Sequence, residues 1–127
     1  EAFKQEGDLW RTLPGITNSA GNLCLHLCGN LRHYIGHVLG GEDYVRDRPK
    51  EFSTTGLPKA ELLAEVDLTI ASVERGLAIV GPAQLELPFP VPLPVESSNT
   101  GHFLLHLFGH LSWHLGQINY LRRILEN

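Results

Sequence analysis

Apolar residues recur at helical spacing in three long stretches of the chain. From Asn18 and Ser19, residue types that favour the position before a helix, Leu23, Leu27, Leu31, Ile35, Val38 and Leu39 repeat until Gly40-Gly41, predicting a first long helix. A second helix is predicted from Pro58, whose fixed φ suits a first helical position, through Leu62, Leu63, Val66, Leu68, Ile70, Val73 and Leu77 to Gly81-Pro82. A third starts between Ser97 and Thr100 and runs to about Leu125, with Arg122 and Arg123 favouring its C-terminal dipole. Glu1 to Trp10 is short and polar and reads as the tail of a helix broken by Leu13-Pro14-Gly15. Glu42 to Gly56 reads as a connecting loop with room for a short turn. Between Pro82 and Pro94, the prolines 88, 90 and 92 alternate with Leu85, Leu87, Phe89, Val91 and Leu93, so this segment is expected to be extended along the domain surface or an edge. The pattern is all-α, without an internal repeat, and suggests a helix bundle whose first member is short or truncated.

At 127 residues the chain has the size of one domain, 1–127, able to bury a core without disulfides or metal as obligatory staples. A net charge of −4 provides no basic field for nucleic acid. No apolar run approaches the roughly 18 to 20 residues that span a bilayer, and the N-terminus lacks a charged-then-apolar signal pattern. The expected address is cytoplasmic, with no membrane partner. Cys24 and Cys28 sit one turn apart on one helix face, a poor geometry for a disulfide, and are read as reduced packing residues.

Candidate chemistry lies in the histidines, 7 of 127 residues, all on the first and last helices. His102, His106, His110 and His114 follow one another every four residues, so neighbouring members can aim their imidazoles at one divalent ion. Each step of four drifts by about 40°, which puts His102 and His114 some 120° apart; the ladder cannot act as a unit. On the first helix His26, His33 and His37 form one stripe, but His26 and His33 are about 10 Å apart along the axis and cannot share an ion. A catalytic site needs three protein ligands and an open position, and bundles build such sites from facing helices. Spacing leaves several triads open: His102 with His106, His106 with His110, or His110 with His114, joined by His26, His33 or His37. Both cysteines face away from His26 and cannot join a site it ligates. Buried imidazoles in a Leu/Phe-rich helix need partners, which argues against the whole array being mere packing. Metal held by such residues should be lost below roughly pH 6, as imidazoles protonate.

Two segments carry a family resemblance. The run Asn18-Ser19-Ala20-Gly21-Asn22-Leu23-Cys24-Leu25-His26-Leu27-Cys28-Gly29-Asn30-Leu31 resembles the second helix of the DinB/YfiT-like superfamily, and His106-Leu107-Phe108-Gly109-His110-Leu111-Ser112-Trp113-His114-Leu115-Gly116-Gln117-Ile118 resembles its last helix, where an HxxxH pair directly precedes Gly-Gln-Ile. The resemblance implies a four-helix bundle, usually a homodimer, holding a divalent metal ion (Ni, Zn or Fe) through His26, His110 and His114. His102 and His106 then become pocket or structural residues. Gln117 and Asn30 are candidates to orient a ligand or bound water from behind, with an interhelix hydrogen bond as the plainer role of each; Gly29 and Gly109 are expected to permit close helix approach. One departure is that only about ten residues precede the Pro14 region, where the family usually has a full first helix.

Superfamily relatives that the chain resembles include thiol-dependent transferases and isomerases, which use a low-molecular-weight thiol such as bacillithiol or mycothiol. A metal-dependent transferase or hydrolase acting on an unknown small-molecule substrate is therefore one expectation. No carboxylate in the two ligand runs stands out as a general base. The rival expectation is a non-catalytic metal-binding or stress-response bundle, in which a fourth protein ligand such as His106 or His33 closes the site.

Overall fold

The structure is a computed structural model describing residues 1–127, and it contains helices and no strand. Helix α1, Ala20–Leu31, begins at Ser19, whose hydroxyl accepts the Asn22 N–H at 3.1 Å. It continues without a break into a π-helical segment, Arg32–Leu39, that ends at Gly40; the Gly40 N–H reaches back five residues to the Ile35 carbonyl. Gly41, at φ 70°, then turns the chain in the left-handed region open to glycine. Helix α2, Arg48–Ser53, is capped by Asp47, which accepts the Lys50 N–H at 3.2 Å, and carries Pro49 in its first turn. Helix α3, Lys59–Ala78, follows Pro58. Helix α4, Pro82–Leu85, is a single turn, and α5, Thr100–Leu125, starts at Asn99, whose Oδ1 accepts the His102 N–H at 2.8 Å.

Four local expectations change. Glu42 to Gly56 is not only a loop, because the Asp47 cap and Pro49 nucleate α2 within it. The N-terminal stretch is one 3-10 turn, Glu6–Leu9, rather than the tail of an α-helix. Pro82 occupies a first helical turn, where its missing N–H costs nothing, so the proline-rich segment is extended only after Leu85. The end of the first long helix is π-wound rather than α-wound. That wider winding invalidates the uniform 100° per residue used to place His33 and His37 in one stripe with His26. It brings the backbone close to α3, where a Cβ on Gly76 would strike the Ile35 carbonyl.

Two apolar clusters hold the bundle together. One joins Phe3 and Leu9 to Ala20 and Leu23 of α1, Leu62 of α3 and Leu121 of α5. The other joins Ile35, Phe103 and Leu107, with Tyr34, Phe89, Leu93 and Val95 packed against them. The extended proline segment covers this second cluster: the Phe89 ring meets Phe103 edge-on at 4.6 Å, and Leu87 accepts both the Thr100 N–H and its hydroxyl. Along α1 and α5 the two clusters bracket a polar level at His26, His110 and His114. The outward side of α5 leaves Leu105, Phe108, Trp113, Leu115, Tyr120 and Ile124 exposed. No helix is long and apolar enough to cross a membrane.

Candidate metal centre

His26 comes from the middle of α1 and is buried at 7 % exposure, while His110 and His114 sit one turn apart on the facing side of α5. Each offers one ring nitrogen to a common point, and the three nitrogens lie within 4.8 Å of one another. The His26 and His110 Nε2 atoms are 3.1 Å apart. The rings stand steeply to each other, His26 to His110 at 75°, His26 to His114 at 89° and His110 to His114 at 90°. Two neutral imidazoles can face nitrogen to nitrogen only with a proton or a cation between them. The 3.1 Å gap is close to the edge of about 3.3 Å that a tetrahedron with metal–nitrogen bonds of about 2.0–2.1 Å requires. That one edge and the all-imidazole donor set fit a borderline transition-metal ion such as Zn, Ni or Fe, while the wider 4.8 Å spread of the three nitrogens requires a side chain to close in on the ion.

Two of the three rings are fixed from behind. The Nδ1–H of His26 donates to Glu51 Oε1 at 3.0 Å, which leaves Nε2 as the free lone pair. Glu51, on α2, is itself buried and held by a fork from Arg46: Nε to Oε2 at 2.8 Å and Nη2 to Oε1 at 2.9 Å. Arg46 Nη2 also lies 3.3 Å from His26 Nδ1; both are donors there, so the carboxylate is the partner of each. Burial acts to raise the Glu51 pKa, but the hydrogen bonds from His26 and Arg46 and the charge of Arg46 outweigh it, and the carboxyl is held below its ordinary range. On the other side His114 Nδ1 donates to Gln117 Oε1 at 2.6 Å, so Gln117 is placed to set the tautomer of His114. His110 Nδ1 is buried without a partner. Burial, and then the charges of His114, His26, His106 and Arg46, push the His110 pKa down to about 4, which keeps its imidazole neutral and able to donate a lone pair at neutral pH.

Glu51 and Arg46 were absent from the sequence reading, which found no carboxylate in the two helical runs. A local signal existed, since Asp47 followed by Pro49 is a helix-start pattern that puts Glu51 on an ordered turn. Gly29 is the complementary signal: it does permit a close approach, but of the Glu51 carboxylate, with which a Cβ at this position would collide. Gly109, by contrast, has nothing near its absent Cβ, so no element of the same chain makes the close approach expected there. Asn30, one turn after His26, is buried and its Oδ1 has no partner. The remaining histidines lie elsewhere. His33 and His37 face each other at 6.0 Å, with His37 Nδ1 on the Glu42 carbonyl. His102 Nδ1 accepts the Ser98 N–H at the start of α5. His106 stacks on Phe103 at 5.8 Å and lines a cavity of about 530 Å3 that His26 and His110 also border. Cys24 and Cys28 are free thiols; Cys24 packs against the first apolar cluster.

No curated protein and no solved structure matches the chain. A family model described as the DinB superfamily matches residues 5–118.

Proposed function

Because the chain belongs to the DinB superfamily, we propose that it binds one divalent metal ion (Ni, Zn or Fe) through His26, His110 and His114 and uses it in a metal-dependent enzyme reaction. The observation that carries this reading is the convergence of three, and not four, nitrogen donors beside a cavity. Three protein ligands leave coordination positions open to a small molecule, whereas a purely structural site is closed by a fourth. A cavity of about 530 Å3 is also in the usual range for a small-molecule site.

Of the two reaction types open to such a site, transfer of a low-molecular-weight thiol fits this chain better than hydrolysis. The carboxylate nearest the triad, Glu51, has both oxygens engaged by His26 and Arg46, so it orients an imidazole rather than taking a proton from water. A bound divalent ion supplies Lewis acidity, which favours the ionised form of a thiol or water placed on it. His26 holds its position through Glu51, His114 through Gln117, and Tyr34, Phe103 and Leu107 line the cavity beside them.

The test is an assay of the protein as isolated with bacillithiol, mycothiol or another small thiol and an epoxide or alkyl halide. Turnover that disappears on chelation and returns on adding the metal is expected. Stoichiometric metal with no turnover across the thiols would favour the non-catalytic bundle, in which the ion only fastens α1 to α5.

The same reading includes pairing of two copies through α5. Its exposed strip from Leu105 to Ile124 is about 28 Å long and, at one helix width of about 10 Å, is roughly 300 Å2 of apolar surface, the lower end of the range for the largest, often functional, patch on a protein surface. Gly109 and Gly116 lie on it with open space beyond them, which lets a second α5 come near. Light scattering is expected to give twice the 14.1 kDa chain mass; a monomer at micromolar concentration would refute the pairing.

A further inference from the structure

The charge of the cavity beside the triad is one-sided. Its lining includes Arg46 and Arg48 and no carboxylate, in a chain whose net charge is −4. Glu51 already matches Arg46. The other paired arginines are Arg11, Arg32, Arg75 and Arg122, and Arg48 takes part in no ion pair. Arg48 instead lies over the Phe52 ring at 5.3 Å, and that ring packs on His26 at 4.9 Å, which places an unmatched guanidinium next to the histidine cluster. A second group points to a ligand independently. Asn30 lines the same cavity at 8 % exposure with Oδ1 unpartnered, and a buried acceptor of this kind is costly unless something supplies a donor. The wall facing these groups is aromatic and apolar, with Tyr34, Phe103 and Leu107.

We propose that this cavity takes a small organic anion, its carboxylate or phosphate paired with Arg48, a hydroxyl, amine or amide of the same molecule hydrogen-bonded to Asn30, and its apolar body on Tyr34 and Phe103. The proposal rests on the reading of the site given above and adds the class of substrate to it. Guanidinium pairs in the same forked manner with carboxylate and phosphate oxygens, so the oxyanion is the shared chemistry and the probes decide its source. A neutral isostere of the same shape leaves Arg48 unmatched and should bind about fivefold more weakly, the upper end of what one exposed ion pair contributes.

Calorimetric titration of the metal-loaded protein with 4-hydroxyphenylacetate, 4-hydroxyphenyl phosphate and neutral 4-hydroxyphenylacetamide, each carrying a hydroxyl donor for Asn30, tests this. Tighter binding of one or both anions than of the amide is expected, and whichever anion leads identifies the oxyanion. Arg48→Gln should remove most of the preference, and Arg48→Lys should restore part of it, with far-UV circular dichroism unchanged because Arg48 is exposed. Equal binding of amide and anions, binding of none of them at millimolar concentration, or a preference that survives Arg48→Gln overturns the proposal. Repeating the titrations after chelation separates the two readings. A preference that vanishes with the metal yet survives Arg48→Gln assigns the anion to the ion and not to Arg48. Protein that never holds metal but keeps the Arg48-dependent preference defeats the triad reading and leaves the anion site standing.

Discussion

Alanine at His110 or at His114 is expected to strip the purified protein of most of its divalent metal, from about one ion per chain by elemental analysis to a small fraction of that. The two rings and His26 together supply every protein nitrogen at the site. Losing one of three ligands must cost more than the roughly 10–100-fold in affinity that losing a supporting residue costs. Full occupancy in both variants would sink the triad. The metal-free protein offers a second readout with a definite sign. The unfolded chain protonates His110 near 6.5, whereas the folded chain holds it neutral down to about 4. Between those values the unfolded state binds the extra proton, so stability should fall as pH falls across the window. Urea midpoints measured above and below it should show the decline in the stripped wild-type protein and a shallower one in His110→Ala.

Replacing Glu51 by alanine is the second change with a large expected effect. The substitution strands Arg46, whose side chain is 12 % exposed, without its carboxylate, and breaking a buried pair from one side costs about 3–5 kcal/mol. It also removes the acceptor that holds His26 Nδ1–H, which should weaken metal binding by roughly 10–100-fold. Glu51→Gln keeps an oxygen for His26 while losing the charge, and should fall between the wild type and alanine in both respects. Thermal midpoints and competition with a metal chelator measure the two effects separately. An alanine variant with wild-type stability and affinity would show that the Arg46–Glu51–His26 chain supports neither the fold nor the site.

The long helices were legible because their determinants are local. Ser19 and Asn99 cap α1 and α5 through their own side chains, and the leucine spacing gives the buried faces without knowledge of the partner. The π-helical segment was not legible, because it reflects the close fit of Ile35 against Gly76 on another helix. In the candidate site, helical drift showed that the four-histidine ladder had to divide, but not where. That is a matter of which level of α5 faces His26, and antiparallel packing between two apolar clusters decides it. The structure brings His110 and His114 to His26 and leaves His106 facing the cavity beside them, the grouping that the family resemblance implies. Glu51 escaped for a further reason: it lies 25 residues from His26 in a segment read as a connection, and only folding shows which connecting residue arrives.

The division of labour between helix and connection carries a last consequence. All three nitrogen donors ride on the two long elements whose positions the core sets, whereas Glu51, Arg46 and Arg48, which tune the donors and charge the cavity, all belong to the span from Gly41 to Pro58. Connections tolerate substitution and changes of length far better than packed helices do. Substitutions at the exposed positions of that span which keep the Arg46–Glu51 pair and the Glu51 bond to His26 would leave the triad in place while changing the charge beside it. A laboratory seeking new reactivity from the bundle would vary those positions, within a span of about eighteen residues, rather than the whole chain.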